Sequence, residues 1–160
     1  MAEQKTNAMR LLDSKKLEYK VYDYTQFAAT NGMEVARVLG QDPERVFKTL
    51  VSAGKSGRNY VFMLPVCAEL DLKKAAKASG EKSVDMLKSR ELLPLTGYVH
   101  GGCSPIGMKK LFKTFIHSSA SRFESLVFSG GRIGRQIETS LENLKKLVPF
   151  VLADLAKDEK

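Results

Sequence analysis

Arg45-Val46-Phe47-Lys48-Thr49-Leu50-Val51-Ser52-Ala53 and Tyr60-Val61-Phe62-Met63-Leu64-Pro65-Val66 are two apolar runs rich in β-branched and aromatic residues. That composition favours strands. Between them lies Gly54-Lys55-Ser56-Gly57-Arg58-Asn59, a turn-forming segment, so the pair is expected to form a β-hairpin. Thr49 to Ser56 also ends like a phosphate-binding P-loop, but Thr49 stands where the first glycine belongs. A P-loop must lead into a helix whose N-terminus holds phosphate. Here Asn59-Tyr60-Val61-Phe62 continues as a strand, and the nucleotide-site interpretation fails.

Outward from the hairpin, the chain alternates between the two periodicities. Upstream, Thr6 is a good N-cap for a helix carrying Ala8, Leu11 and Leu12 on one face. Tyr19 to Thr25 has the composition of a strand, and Thr30 or Asn31 can cap a second helix that closes at Gly40. Downstream, Leu70 to Ser79 is expected as a basic helix ending at Gly80, and Val84 to Leu93 as another closed by Pro94. Phe112 to Ile116, Ser125 to Ser129 and Arg135 to Ile137 are expected as strands. A last helix carries Leu141, Leu144, Leu147, Val148, Val151, Leu152 and Leu155, with a kink or restart at Pro149. Tandem strands, then helices, then strands imply a mixed α/β fold, not a regular βαβ winding.

The 160 residues suit one domain, 1–160, and 43% hydrophobic with 28% charged residues fits a globular chain. Twenty-six Lys and Arg against 18 Asp and Glu give a net charge of +8, which favours a polyanionic partner such as nucleic acid. Cys67 and Cys103 are the only cysteines. With no C-x-x-C and no H-x-x-x-H or H-x-E pattern, neither a disulfide framework nor a zinc site is expected, and no cofactor is implied. Two thiols suit a reducing cytosol. No apolar run approaches a membrane span and no signal peptide is visible, so the expected location is cytoplasmic.

Four features are candidates for chemistry. Lys48 shares a strand face with Val46 and Leu50, so it either snorkels to an edge or points into a cleft. Gly101-Gly102-Cys103-Ser104-Pro105-Ile106-Gly107 holds three glycines and a proline in seven residues. A loop so poor in side chains can bring backbone N–H groups to a ligand and hold a developing oxyanion. Lys109 and Lys110 follow it, and Arg132 and Arg135 flank the second glycine cluster, Gly130-Gly131 and Gly134; such placement suits phosphate contacts. His100 and Cys103 are three apart, which makes a Cys–His nucleophile conceivable, although most such pairs are incidental. Tyr24 and Ser129 each close a strand, where a hydroxyl could reach a cleft.

These motifs, in this order and spacing, resemble the YbaK family, within the superfamily that includes the editing domain of bacterial prolyl-tRNA synthetases. The resemblance is carried by Phe47-Lys48-Thr49-Leu50, Leu72-Lys73-Lys74-Ala75-Ala76-Lys77, Thr96-Gly97-Tyr98, Gly101 through Lys110, and Ser129-Gly130-Gly131. It covers nearly the whole chain. It implies a mixed, partly barrel-like β-sheet with flanking helices. The implied activity is an aminoacyl-tRNA deacylase that removes cysteine mischarged on tRNA(Pro), and potentially on tRNA(Cys), with prolyl-tRNA synthetase as partner. In relatives the substrate thiol is thought to attack its own ester and leave as a thiolactone. The resemblance implies a cleft lysine at Lys48 and loop backbone at Gly101 and Gly102. Substrate contacts at Tyr24, Pro105, Ser129 and Gln136 are implied as well. Some relatives have an acidic residue where Gln136 stands, so a binding role suits it better than a general base. Two alternatives remain at this level: a deacylase of another residue such as alanine, or a non-catalytic module that binds tRNA or a synthetase.

Overall fold

The computed structural model describes residues 5–29 and 31–158. Thr30, one of the two candidate caps of the second helix, lies outside the described residues.

The hairpin forms as its sequence requires. Strands β2 (Phe47–Gly54) and β3 (Asn59–Pro65) pair antiparallel in a register that sets Lys48 opposite Leu64 and Val51 opposite Val61. The turn is closed by the Gly54 amide donating to Arg58 and the Gly57 amide donating to Gly54, with Gly57 at φ 92°. β3 is buried on both faces, as expected of a central strand whose sequence is a continuous apolar run.

Around the hairpin the described residues build two sheets. The first has five strands in the order β4-β2-β3-β5-β8, with β4 (Val84–Met86) at one edge, β5 (Lys113–His117) parallel to β3 and β8 (Phe150–Ala153) parallel to β5. The second is antiparallel, in the order β1-β7-β6, from β1 (Lys20–Asp23), β6 (Ser125–Arg132) and β7 (Arg135–Ser140). A parallel bridge between Val46 and Val127 joins them at the start of β2, which curls the two sheets around one core. This is the mixed, partly barrel-like arrangement expected.

Inside that curl, Phe47, Val51, Val61, Met63, Ile116, Leu126, Phe128 and Ile137 meet Ala8, Met9 and Leu12 of α1 (Asn7–Ser14) and Leu144 of α5 (Leu141–Leu147). The outer face of the five-stranded sheet presents Tyr60, Phe62 and Phe115, covered by Ala75 and Ala76 of α3 (Leu72–Ser79) and by Leu155. The caps are local. Thr6 Oγ1 accepts from the Met9 amide and Asn31 Oδ1 from the Glu34 amide, which starts α2 (Gly32–Leu39).

Two expectations are corrected. Val84 to Leu93 is not one helix: β4 (Val84–Met86) adds to the edge of β2, and α4 (Ser89–Thr96) follows. β-branched Val84 is buried while Asp85 and Met86 face out, a strand pattern too short to recognise. Pro94 lies inside α4 and does not close it; Gly97, at φ 87°, ends the helix. A helix this short loses one hydrogen bond to the missing amide. The last apolar run is also not one helix. α5 stops at Leu147, Val148 is extended (φ −134°, ψ 100°), and Phe150–Ala153 is a strand. A residue before proline is pushed out of the helical region, and the aromatic and β-branched residues beyond it pair with β5 instead.

Candidate active site

A cleft of about 470 Å³ opens between α2, the start of β2, the loop after α4 and the upper ends of β6 and β7. Its deep walls are apolar, formed by Phe47, Leu92 and Phe128, with polar groups set into them. This pattern, an apolar hollow with a few convergent polar groups, is that of a small-molecule or chain-end site.

Seven of the residues singled out above line this cleft together: Tyr24, Lys48, His100, Gly101, Cys103, Ser129 and Gln136. They come from β2, β6, β7 and two loops, so only the fold unites them. Tyr24 is buried, its amide anchored on the Gly134 carbonyl at 2.8 Å. Ser129 and Gln136 are cross-strand partners on β6 and β7. Strand alternation sends Ile137 into the core and turns Gln136 and Glu138 to the other face, where they meet Gln41 and Arg45. Ser129 Oγ accepts from the Gly131 amide at 3.2 Å.

Lys48 is among the residues lining the cleft, and its Nζ donates to the Ala68 carbonyl at 2.6 Å. Burial lowers the pKa of its amine, opposed by the nearby Glu69 and Cys67.

The glycine loop divides its labour. Gly101 (φ 87°) and Cys103 line the cleft. Gly102 does not; its amide donates to the Val99 carbonyl at 3.0 Å. Its lack of a side chain has another use, because a β-carbon there would lie 2.9 Å from the Ile133 nitrogen and 3.0 Å from the Arg132 α-carbon. The two glycine-rich loops touch backbone to backbone. Pro105 is buried outside the cleft lining, beside Ser104 and Ile106. Tyr98 fastens this end of the loop, its hydroxyl donating to the Ile106 carbonyl at 2.6 Å.

Lys109, Lys110 and Arg132 are exposed. Arg135 is different: its side chain is mostly buried, with Nε 4.0 Å from Asp23 Oδ2. Cys103 is a buried thiol whose pKa burial pushes up to about 12, partly opposed by a hydrogen bond with Thr96. It is therefore fully protonated at neutral pH, the wrong state for a nucleophile.

Sequence reasoning missed three groups. Thr49 lines the cleft and its Oγ1 is buried with no partner. Gln41 Nε2 donates to Gln136 Oε1 at 2.8 Å. Beneath them, Glu138 accepts from Tyr22, Arg45 and Ser125. None has a local sequence signal: Thr49 sits in an ordinary strand run, and Gln41 and Glu138 meet partners that only the fold brings to them.

Over residues 28–147 the chain matches the family described as the aminoacyl-tRNA editing domain. The chain belongs to this family. It is 42% identical over 158 residues to the protein named "Putative Cys-tRNA(Pro)/Cys-tRNA(Cys) deacylase EbsC" of Enterococcus faecalis, covering 98% of this chain and 96% of that protein. Its fold is shared with a crystal structure described as "a putative trans-editing enzyme for prolyl tRNA synthetase" at TM-score 0.82 and 23% identity, covering 98% and 100% of the two chains. A hypothetical protein of known structure matches at TM-score 0.85 and 21% identity, covering 95% and 100%. Among the described residues no helix is long and apolar enough to cross a membrane.

Proposed function

We propose that the protein is a trans-editing deacylase that removes cysteine from mischarged tRNA(Pro), and also from tRNA(Cys). Support comes from its membership of the editing-domain family together with its identity to the Enterococcus faecalis protein. The single observation in the structure that carries the reading is the cleft itself. Tyr24, Lys48, Gly101, Ser129 and Gln136 converge on one apolar hollow, and its Cys103 thiol is held protonated. Such a site positions a substrate and polarises a carbonyl without a protein nucleophile.

In the proposed reaction the cysteinyl thiol, giving up its proton, attacks its own ester carbonyl. The new C–S bond closes a thiolactone, the ester C–O bond breaks, and a proton goes to the departing ribose oxygen. The protein's part is to fold the aminoacyl end into the attacking geometry and to face the carbonyl oxygen with the Gly101 loop. In this reading Lys48 brings positive charge to the terminal phosphate or ribose, the role that the family resemblance implies for it. The exposed Lys109, Lys110 and Arg132 would follow the acceptor backbone, and the adjacent prolyl-tRNA synthetase would supply tRNA choice. The reaction belongs to the cytoplasm, where tRNA is charged.

The test is to incubate the protein with Cys-tRNA(Pro), Ala-tRNA(Pro) and correctly charged Pro-tRNA(Pro) and follow ester loss. Rapid loss from the cysteinyl ester alone is expected. Preference for the alanyl ester would reassign the substrate, and tight binding with no ester loss would make this a binding module.

A further inference from the structure

Gln41 follows directly on Gly40, whose left-handed backbone (φ 67°) ends α2, and the Gln41 amide donates back to the Ala36 carbonyl at 2.8 Å. This cap delivers the Gln41 side chain to β7, 95 residues away, where its Nε2 donates to Gln136 Oε1 at 2.8 Å. Gln41 Oε1 is buried and, among the described residues, without a partner. Gln136 is only 5% exposed and lines the cleft, and among the described residues its NH2 group donates to nothing.

The direction of this bond has a physical cause. Turning both carboxamides over would bring Gln136 NH2 onto Gln41 Oε1 and bury an unpartnered Gln41 NH2. That would put the unpartnered NH2 group on Gln41, which is not part of the cleft lining, whereas the present arrangement puts it on Gln136, which lines the cleft and where a ligand oxygen can meet it. Even the present arrangement leaves the Gln41 Oε1 acceptor unsatisfied among the described residues. A buried orphan of this kind calls for an explanation, and a role at the adjoining cleft supplies one.

We propose that Gln41 is a positioning residue, which holds the Gln136 oxygen so that the Gln136 NH2 faces the cleft as a neutral double donor. A group of this kind takes an acceptor oxygen of the aminoacyl-adenosine terminus and turns away a protonated α-amino group. The bound substrate is thereby oriented with its oxygen edge toward β7 and its ammonium elsewhere. Gln136 itself neither gains nor loses a proton, so this contact adds no ionisation to the pH profile.

Only the kinetic arm of the test rests on the deacylase reading. In the wild-type protein, side-chain amide resonances are assigned by their loss in Gln41→Glu and Gln136→Glu. The Gln41 NH2 should exchange slowly with solvent and the Gln136 NH2 quickly. The reverse order overturns the proposal whatever the protein's activity. In the kinetic arm, Gln41→Leu should lower kcat/KM roughly 10-fold, and Gln41→Leu with Gln136→Leu should be no worse than Gln136→Leu alone. Loss in kcat identifies the ester carbonyl as the acceptor, and loss in KM a ribose oxygen. Gln41→Glu, nearly isosteric but unable to donate, should lose at least as much at an unchanged Tm. Additive losses in the double variant, or wild-type kinetics in Gln41→Leu, would overturn the positioning role.

Discussion

Gly102 and Ile133 meet backbone to backbone: a β-carbon on Gly102 would stand 2.9 Å from the Ile133 nitrogen. Gly102 is not in the left-handed region, so it is glycine for space and not for conformation. Gly102→Ala should therefore push the Gly101 loop away from the β6–β7 turn. The expected result is ~1–3 kcal/mol of destabilisation from overpacking, with a deacylation rate that falls further than stability alone explains. Thermal melts and single-turnover rates check this. A variant with wild-type rate and Tm would mean that the loops separate freely.

The site was only partly legible in the sequence, for a definite reason. Lys48 stood out because an ion interrupts an apolar strand, and Gly101 because glycines and a proline cluster. Each of those signals is local. Gln41 became visible only when β7 approached the end of α2, and Glu138 only when β1 and β6 flanked β7. The β8 strand was hidden because Val148, Val151, Leu152 and Leu155 also fit helical spacing, and only the backbone restriction imposed by Pro149 separates the two patterns. Pro105 has a motif position but no place on the cleft wall; its loop needs it buried.

Glu138 supports the site from below. Burial would raise its carboxyl pKa, but hydrogen bonds from Ser125, Tyr22 and Arg45, with the Arg45 charge, more than offset this and hold it at about 2. The folded pKa lies below the ordinary 4.5. The stability this provides is therefore present above about pH 4.5 and lost as pH falls toward about 2. A plot of Tm against pH should drop through that window. Glu138→Gln should flatten the drop and lower Tm at neutral pH, because Arg45 is left without its counter-charge. An unchanged acid limb would place the acid sensitivity in other carboxylates.

Lys48→Ala should lower kcat/KM roughly 10–100-fold, about 1.4–2.7 kcal/mol of transition-state stabilisation. The fold should hold, because only the Ala68 carbonyl loses its donor. Lys48→Arg should not restore the rate, since a planar guanidinium does not reproduce the compact point charge that Nζ sets against the Ala68 carbonyl. Full activity in Lys48→Ala would reduce this lysine to a strut between β2 and the loop after β3.

Acceptor-end binding should weaken steeply with salt, since counterion release drives phosphate contacts. Lys109→Ala, Lys110→Ala and Arg132→Ala should each reduce the slope of log K against log salt by about 1. Arg135→Ala should change it less, because that side chain is mostly buried beside Asp23. Slopes from a fluorescence-anisotropy titration decide the matter, and a slope near zero for the intact protein would remove tRNA phosphates as the partner of this surface.

Cys103→Ala should keep most of the deacylase activity. Cys103 is the obvious suspect, being a thiol on the cleft wall three residues from His100. Its burial argues against it: a thiol with a pKa of about 12 is almost wholly protonated at pH 7, and no base is hydrogen-bonded to it among the described residues. A protein nucleophile needs a lowered pKa and an oriented base. The substrate's own thiol needs only to be folded back onto its ester, which the apolar cleft and the Gly101 backbone can do. Ser-tRNA has the same shape with a far poorer nucleophile, so its ester should be lost much more slowly than that of Cys-tRNA. Complete inactivity of a folded Cys103→Ala would restore a protein thiolate. Equal rates on Ser-tRNA and Cys-tRNA would instead identify water as the attacking group, with the cleft acting on the carbonyl alone.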